Sequence, residues 1–242
     1  MIKIRFVIAL IILVMFNYYT NAQTFVDYNT KQITAKEFIR LFDTDLFKVI
    51  DIKSDSLHFK KLVFNKRFGS LSKIEKSQLN KRLFVRYGID STKIWVIHYI
   101  DSLPLKASMP KKSHIVYLDD QKMRHRHVIS YKDFVKGAKS HFKEFKNNEN
   151  AKFIHFWRAG GQDYPQELFK SLNWFHDPSN FIKQLFSFGI INFETQIIYP
   201  NGDYVCFFDI KNKVDLKRQI KRQKFVKERQ KHQKEIAKRL GL

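Results

Sequence analysis

Cysteine is all but absent from this 242-residue chain: Cys206 stands alone. An internal disulfide is excluded, and so is a Cys-x-x-Cys pair for thiol–disulfide exchange. Acids are scarce too, 23 against 45 lysines and arginines, for a formal charge of +22. The acids present, such as Asp119-Asp120 and Glu235, do not follow metal-loop spacing. The apolar run Phe6–Phe16 stops at 11 residues, short of the roughly 20 that a membrane helix needs. No Gly-x-Ser-x-Gly elbow occurs, and there are no internal repeats.

What is present begins with the amino end. Lys3 and Arg5 precede the apolar run, and Thr20 and Ala22 follow as small residues. This is the layout of a secretory signal peptide, with cleavage expected after Ala22. Apolar content of 44% with 24 phenylalanines argues for a folded domain. An exported chain this basic is expected to meet anionic lipid, acidic polysaccharide or an acidic protein rather than nucleic acid. The excess is concentrated at the end: residues 211–242 hold 13 Lys/Arg and 3 acids. Lys217, Arg218, Lys221, Arg222, Lys224, Lys227, Arg229 and Lys231 form the candidate anion-binding tail.

Capping boxes at Thr34–Glu37 and Ser72–Glu75 open two helices. The first is expected over about 35–43 with Phe38, Leu41 and Phe42 inward. The second should run to about Tyr87, with Ile74, Leu79, Leu83, Phe84 and Tyr87 as its apolar stripe and Gly88 as its cap. LFKVIDI (46–52), KIWVIHYI (93–100), HIVYL (114–118) and AKFIHFW (151–157) read as strands. KIWVIHYI and AKFIHFW are apolar on both faces, as buried strands of a mostly parallel sheet are. Ser130 caps a helix to about Lys146, and further helices are expected over about 165–174 and 179–188. Asn201-Gly202 marks a hairpin pairing Tyr199 with Tyr204 and Ile197 with Cys206. From about Val214 a helix follows. Its apolar residues (Leu216, Ile220, Val226, Ile236, Leu240) are too sparse for a full core face, so its far part is expected to project.

Together these segments give an α/β fold with a central mixed sheet and flanking helices. KIWVIHYI followed by DSLP resembles the strand that leads to the redox loop of the thioredoxin-like fold. AKFIHFW resembles its central strand and QIIYPNGDYV its closing hairpin. The resemblance covers about residues 93–225 and implies strand–helix–strand–helix–hairpin–helix, with residues 114–127 as an inserted hairpin. The departures are chemical: Ile100–Pro104 stands where the cysteines belong, and Phe193 and Glu194 stand near the place of the family's cis proline. The domains expected are a signal peptide (1–22), an α/β extension packing on the core (23–92), the thioredoxin-like domain (93–223) and a basic helical tail (224–242).

The stretch FIHFWRAGGQDYPQELF, 153–169, has the outline of a phosphate loop, but Gln162 follows the glycines where a nucleotide site needs lysine. It reads as the end of a core strand. His98 and His155, with Asp101 and Ser102, form a hydrolase-like set if they meet at the carboxyl edge of the sheet, where ligands of α/β proteins collect. His125 and His127 are spaced for a metal but flanked by Arg124 and Arg126. No cofactor is implied. The leading expectation is an exported, non-catalytic binding protein. A hydrolase using His98 or His155 with Asp101 and an anionic-surface binder working through the tail are the alternatives.

Overall fold

Local signals set the elements, and the sheet then sorts them. The computed structural model describes residues 24–53, 58–117, 125–188, 191–209, 213–220 and 222–240. The segment expected as a signal peptide and Lys221 lie outside these. The described residues form two compact units, one running to Asn65 together with Arg239 and Leu240, the other Lys66–Lys238.

The smaller unit holds β1 (Thr24–Val26), β2 (Gln32–Ile33), α1 (Ala35–Phe42), β3 (Phe47–Lys53) and β4 (His58–Phe64). Thr34 Oγ1 accepts from the Glu37 N–H at 3.2 Å and so caps α1. The strands order as β2-β1-β4-β3, with β1 parallel to β4. Phe38, Leu41, Phe47 and Leu62 are buried; Phe42, expected inward, is 47% exposed.

The larger unit opens with β5 (Lys66–Ser70) and α2 (Lys73–Tyr87). Both bonds of the Ser72–Glu75 capping box form, and Gly88 closes the helix at φ 64°. Of the expected stripe, Leu79 and Leu83 are buried, whereas Ile74 and Phe84 are exposed. At 100° per residue those two lie about 100–180° round the helix from the buried pair. Next come β6 (Ile94–Leu103), the ribbon β7 (His114–Tyr117) and β8 (His125–Val128), α3 (Tyr131–Lys146) and β9 (Ala151–Gly160). After them run α4 (Gln166–Ser171), β10 (Trp174–His176), α5 (Phe181–Leu185) and a short ribbon of β11 (Ser187–Phe188) and β12 (Ile191–Asn192). The chain ends with β13 (Thr195–Ile198), β14 (Asp203–Phe207), α6 (Lys213–Gln219) and α7 (Arg222–Leu240).

Six strands make one mixed sheet, ordered β10-β9-β6-β13-β14-β5. β9 is parallel to β6 and to β10; the remaining pairs are antiparallel. Side chains of opposite parity fill two cores. Trp95, Ile97, Tyr99 and Phe156 pack with Leu79 and Leu83 of α2 and Ile182 of α5. Val96, Phe153, Ile197 and Val205 pack with Leu216 of α6 and Phe225 of α7.

Four expectations are revised. The unit boundary falls at Asn65, not at residue 92, because β5 pairs with β14 from Lys66↔Phe207 to Ser70↔Asp203. Trp174, expected to end a helix, and residues 175–176, expected between two helices, form the edge strand β10. The hairpin is shifted by one: Ile198 faces Tyr204 and Ile197 faces Val205. Its loop has three residues, Pro200-Asn201-Gly202, closed by Tyr199 N–H to Asp203 O at 2.8 Å with Gly202 at φ 95°. A one-residue slip exchanges the faces of a strand, so this loop decides which core receives Cys206.

The fourth revision concerns the tail, which docks rather than projects. Phe225 is 2% exposed and His232 6%. Their rings lie 5.5 and 5.3 Å from Phe68 of β5, and Phe225 lies 4.7 Å from Tyr199. Arg229, between them on the helix, reaches Asp203 at 3.9 Å. Burial, helped by the nearby Lys66 cation, pushes the His232 pKa down to about 4 from 6.5, against a hydrogen bond to the Lys66 backbone. Above pH 6.5 the ring is neutral folded or unfolded, and nothing is lost. Between 6.5 and about 4 the unfolded chain takes the proton first, so stability falls with pH, by about 3 kcal/mol in all. Unfolding measured from pH 7 to 4 should flatten in this window for His232→Phe; an unchanged slope would assign the loss to other groups.

Candidate functional site

The carboxyl edge of the parallel strands was the sequence's first candidate, and the pleat separates its members. His98 and His155 are register partners on β6 and β9, with rings 5.1 Å apart. Both are buried, walled by Phe153 at 4.8 and 5.0 Å and by Trp174, which stacks on His155 at 4.7 Å. Asp101 is three residues from His98, and an odd separation on a strand sends side chains to opposite faces. Its carboxylate is instead held by Lys183 Nζ at 2.9 Å to each oxygen and by Arg158 Nε at 3.4 Å. Ser102 shares the parity of His98 but is exposed, roughly 13 Å further along the strand. A nucleophile and base need hydrogen-bond reach, and these groups do not have it.

The glycines of the opening stretch serve the sheet. Gly160 and Gly161 take φ 77° and 75°, and a Cβ on Gly160 would sit 2.0 Å from the Leu103 carbonyl oxygen. Gly160 is the register partner of Leu103, so its missing side chain is what lets the last rung close. Beyond it an open cleft of about 490 Å³ is lined by Arg158, Gly161, Gln162, His176 and Asn180. His176 Nε2 is bonded to Arg158 O at 2.8 Å, and Tyr99 Oη donates to Asn180 Oδ1 at 3.2 Å. The first bond ties a side chain to the backbone and the second joins two side chains.

β8 carries both candidate metal histidines, His125 opposite Tyr117 and His127 opposite Ile115. The His127 side chain is exposed; that of His125 lies outside the described side chains. No group of three or more His, Cys, Asp or Glu converges among the described residues. Cys206 is fully buried, and burial pushes its thiol pKa well up.

The basic end is where charged groups do come together. Docking through Phe225, Arg229 and His232 fixes the rotation of α7, so its other side faces away from the sheet. On that side Lys227, Lys231, Lys234 and Lys238 line one surface with Gln230 and Glu235. Their spacing of four, three and four places the four lysines within about 60° of one another, in a file about 16 Å long. Lys217, Arg218 and Lys224 lie elsewhere, around a second cleft, and Arg229 turns inward to Asp203. The side chain of Arg222 is outside the described ones. Of this file the candidate tail residues include Lys227 and Lys231 but not Lys234 or Lys238, and the sequence signal for what aims them is Phe225 and His232, seven apart and therefore on one helix face. Searches of family models, curated proteins and solved structures return no match to this chain.

Proposed function

We propose that this chain is an exported protein that acts by binding rather than catalysis, and that an extended anionic partner is met by the outward face of α7. The observation that carries this is the file Lys227, Lys231, Lys234 and Lys238, held opposite the docked Phe225 and His232. A docked helix keeps four cations aligned at little entropic cost, where a frayed tail would not. The domain beneath is read as a thioredoxin-like frame without thiol chemistry. The order β9-β6-β13-β14, with β9 parallel to β6 and an antiparallel hairpin on the other side, supports that reading. So does a loop after β6 that lacks cysteine. Export rests on the segment before Gln23, and mass spectrometry of the mature protein should find its amino end there.

The test of binding uses polygalacturonate at 0.01 M and 0.15 M salt. Each lysine near an anionic surface contributes about 1 kcal/mol, so replacing all four with glutamine should weaken low-salt binding on the order of 100- to 1,000-fold. Raising the salt should weaken wild-type binding far more than that of the variant, since the Debye length falls from about 30 to 8 Å. Equal binding by both proteins at 0.01 M overturns the proposal.

A further inference from the structure

The amino ends of β6 and β9 hold a second feature, an open cleft of about 920 Å³. Its size is that of small-molecule sites, about 300–1,000 Å³. Lys217 and Arg218 enter it from α6 and Lys224 from the first turn of α7. All three side chains are exposed. Asn148 and Asn150 come from the turn before β9, and Asn201 from the loop between β13 and β14. Among the described residues no acid lines it. The neighbouring Asp203 carboxylate accepts from Ser70 Oγ and Asn201 Nδ2 and faces Arg229, so its charge is offset. The Asn148 carboxamide is oriented by its Oδ1, which accepts from the N–H groups of Asn150 and Ala151 at 3.0 Å each, and this leaves its NH₂ end to address a ligand.

We infer that this cleft binds the end of an acidic polysaccharide whose chain continues along the lysine file of α7; the inference rests on the binding role proposed above. Lys224 belongs to the cleft and stands one turn before Lys227, so cleft and file form one track of about 21 Å. The donor set fits a sugar acid. Cations, Arg218 with its fork above all, answer a carboxylate. Amides, which donate and accept, answer hydroxyls. A lipid surface fits less well. A bilayer does not fill a concave amide-lined cleft, and the outward face of α7 carries lysines, Gln230 and Glu235 with no apolar side chain to insert. A nucleic acid would want a ring to stack on. Among the described lining residues the one aromatic, Tyr199, is buried, with its hydroxyl donating to Gln219 O at 2.6 Å.

Galacturonic acid oligomers of one to eight units test this against neutral galactose oligomers of equal length and phosphatidylglycerol vesicles. Wild-type affinity should rise with oligomer length and then level off. The double variant Arg218→Gln/Lys224→Gln, at exposed positions, should bind the short oligomers at least tenfold more weakly with an unchanged melting temperature. Lys231→Gln/Lys234→Gln should bind the shortest as wild type does and lose the gain from length. Short oligomers binding equally to wild type and cleft variant overturn the inference. So do neutral oligomers that match the acidic ones, or vesicles that bind when oligomers do not. If long polygalacturonate still needs the lysine file in any of these cases, the proposed binding function stands and only the cleft is lost. If no anion binds at low salt, both fall.

Discussion

Gly160→Ala is expected to destabilise the larger unit by about 4 kcal/mol or more, in the range that single changes reach only by strain or core disruption. Two costs add. The alanine must hold φ 77°, which for a residue with a Cβ costs roughly 1–2 kcal/mol. Its Cβ must also fit 2.0 Å from Leu103 O and 3.0 Å from Leu103 C, both backbone atoms of a paired interior strand. β13 pairs with β6 only as far as His98 and β10 with β9 only as far as Trp157, so at this rung the two strand ends hold each other. Relief therefore means opening the end of the β6–β9 ladder above Trp157, Phe169 and Trp174. For a unit of this size the melting temperature should drop on the order of 10 °C. Gly161→Ala is the internal control. It has a similar φ of 75°, but its Cβ would meet the Leu103 Cδ1 and Phe169 Cζ side-chain atoms at 3.0 and 3.3 Å, which can shift. It should cost less than half as much. A melting temperature for Gly160→Ala within about 2 °C of wild type would rule out this account of the glycine pair. Polyanion binding should survive the change at temperatures below the melt, because the cleft lies at the amino ends of the same strands.

Phe225→Ala should cost about 3–5 kcal/mol, the usual range for emptying a phenylalanine site. Phe225 fills the space between Tyr199 and Phe68 and stands at the start of the contact that continues through Arg229 to His232. Its loss takes away the anchor of α7, so the melting temperature should fall on the order of 10 °C. Binding of long polyanions should weaken as well, because the lysines keep their charges but lose their alignment. The neighbour Val226, 49% exposed, tests specificity: Val226→Ala should stay within about 0.5 kcal/mol. If Phe225→Ala melts as wild type does, α7 is not held by this ring, and the view of a projecting basic tail returns.

The division between what was legible and what was not follows the range of the interactions. Helix starts at Thr34 and Ser72 and the stop at Gly88 were readable because a cap joins groups within three or four residues. The buried strands β6 and β9 were readable because both their faces are apolar. The separation of Asp101 from His98 was also within reach, since alternation along a strand depends only on counting. The segment 66–70 was not readable: Lys66, Arg67 and Ser70 look like surface, and only pairing with β14 makes an edge strand of them. The docking of α7 was hidden for a similar reason. Phe225 and His232 are a sparse stripe until Phe68, more than 150 residues away in sequence, supplies the other half of the contact.

By itself the sequence determined the class of the fold, the exclusion of an internal disulfide, and the place where positive charge accumulates, because composition and local periodicity carry these. Tertiary structure alone decided the hairpin register, the face that α7 turns outward, and the meeting of Asn148, Asn201, Arg218 and Lys224 at one cleft. Those outcomes depend on contacts between segments far apart in the chain, where a loop of three residues rather than two, or one buried ring, selects among arrangements that local preferences leave nearly equal.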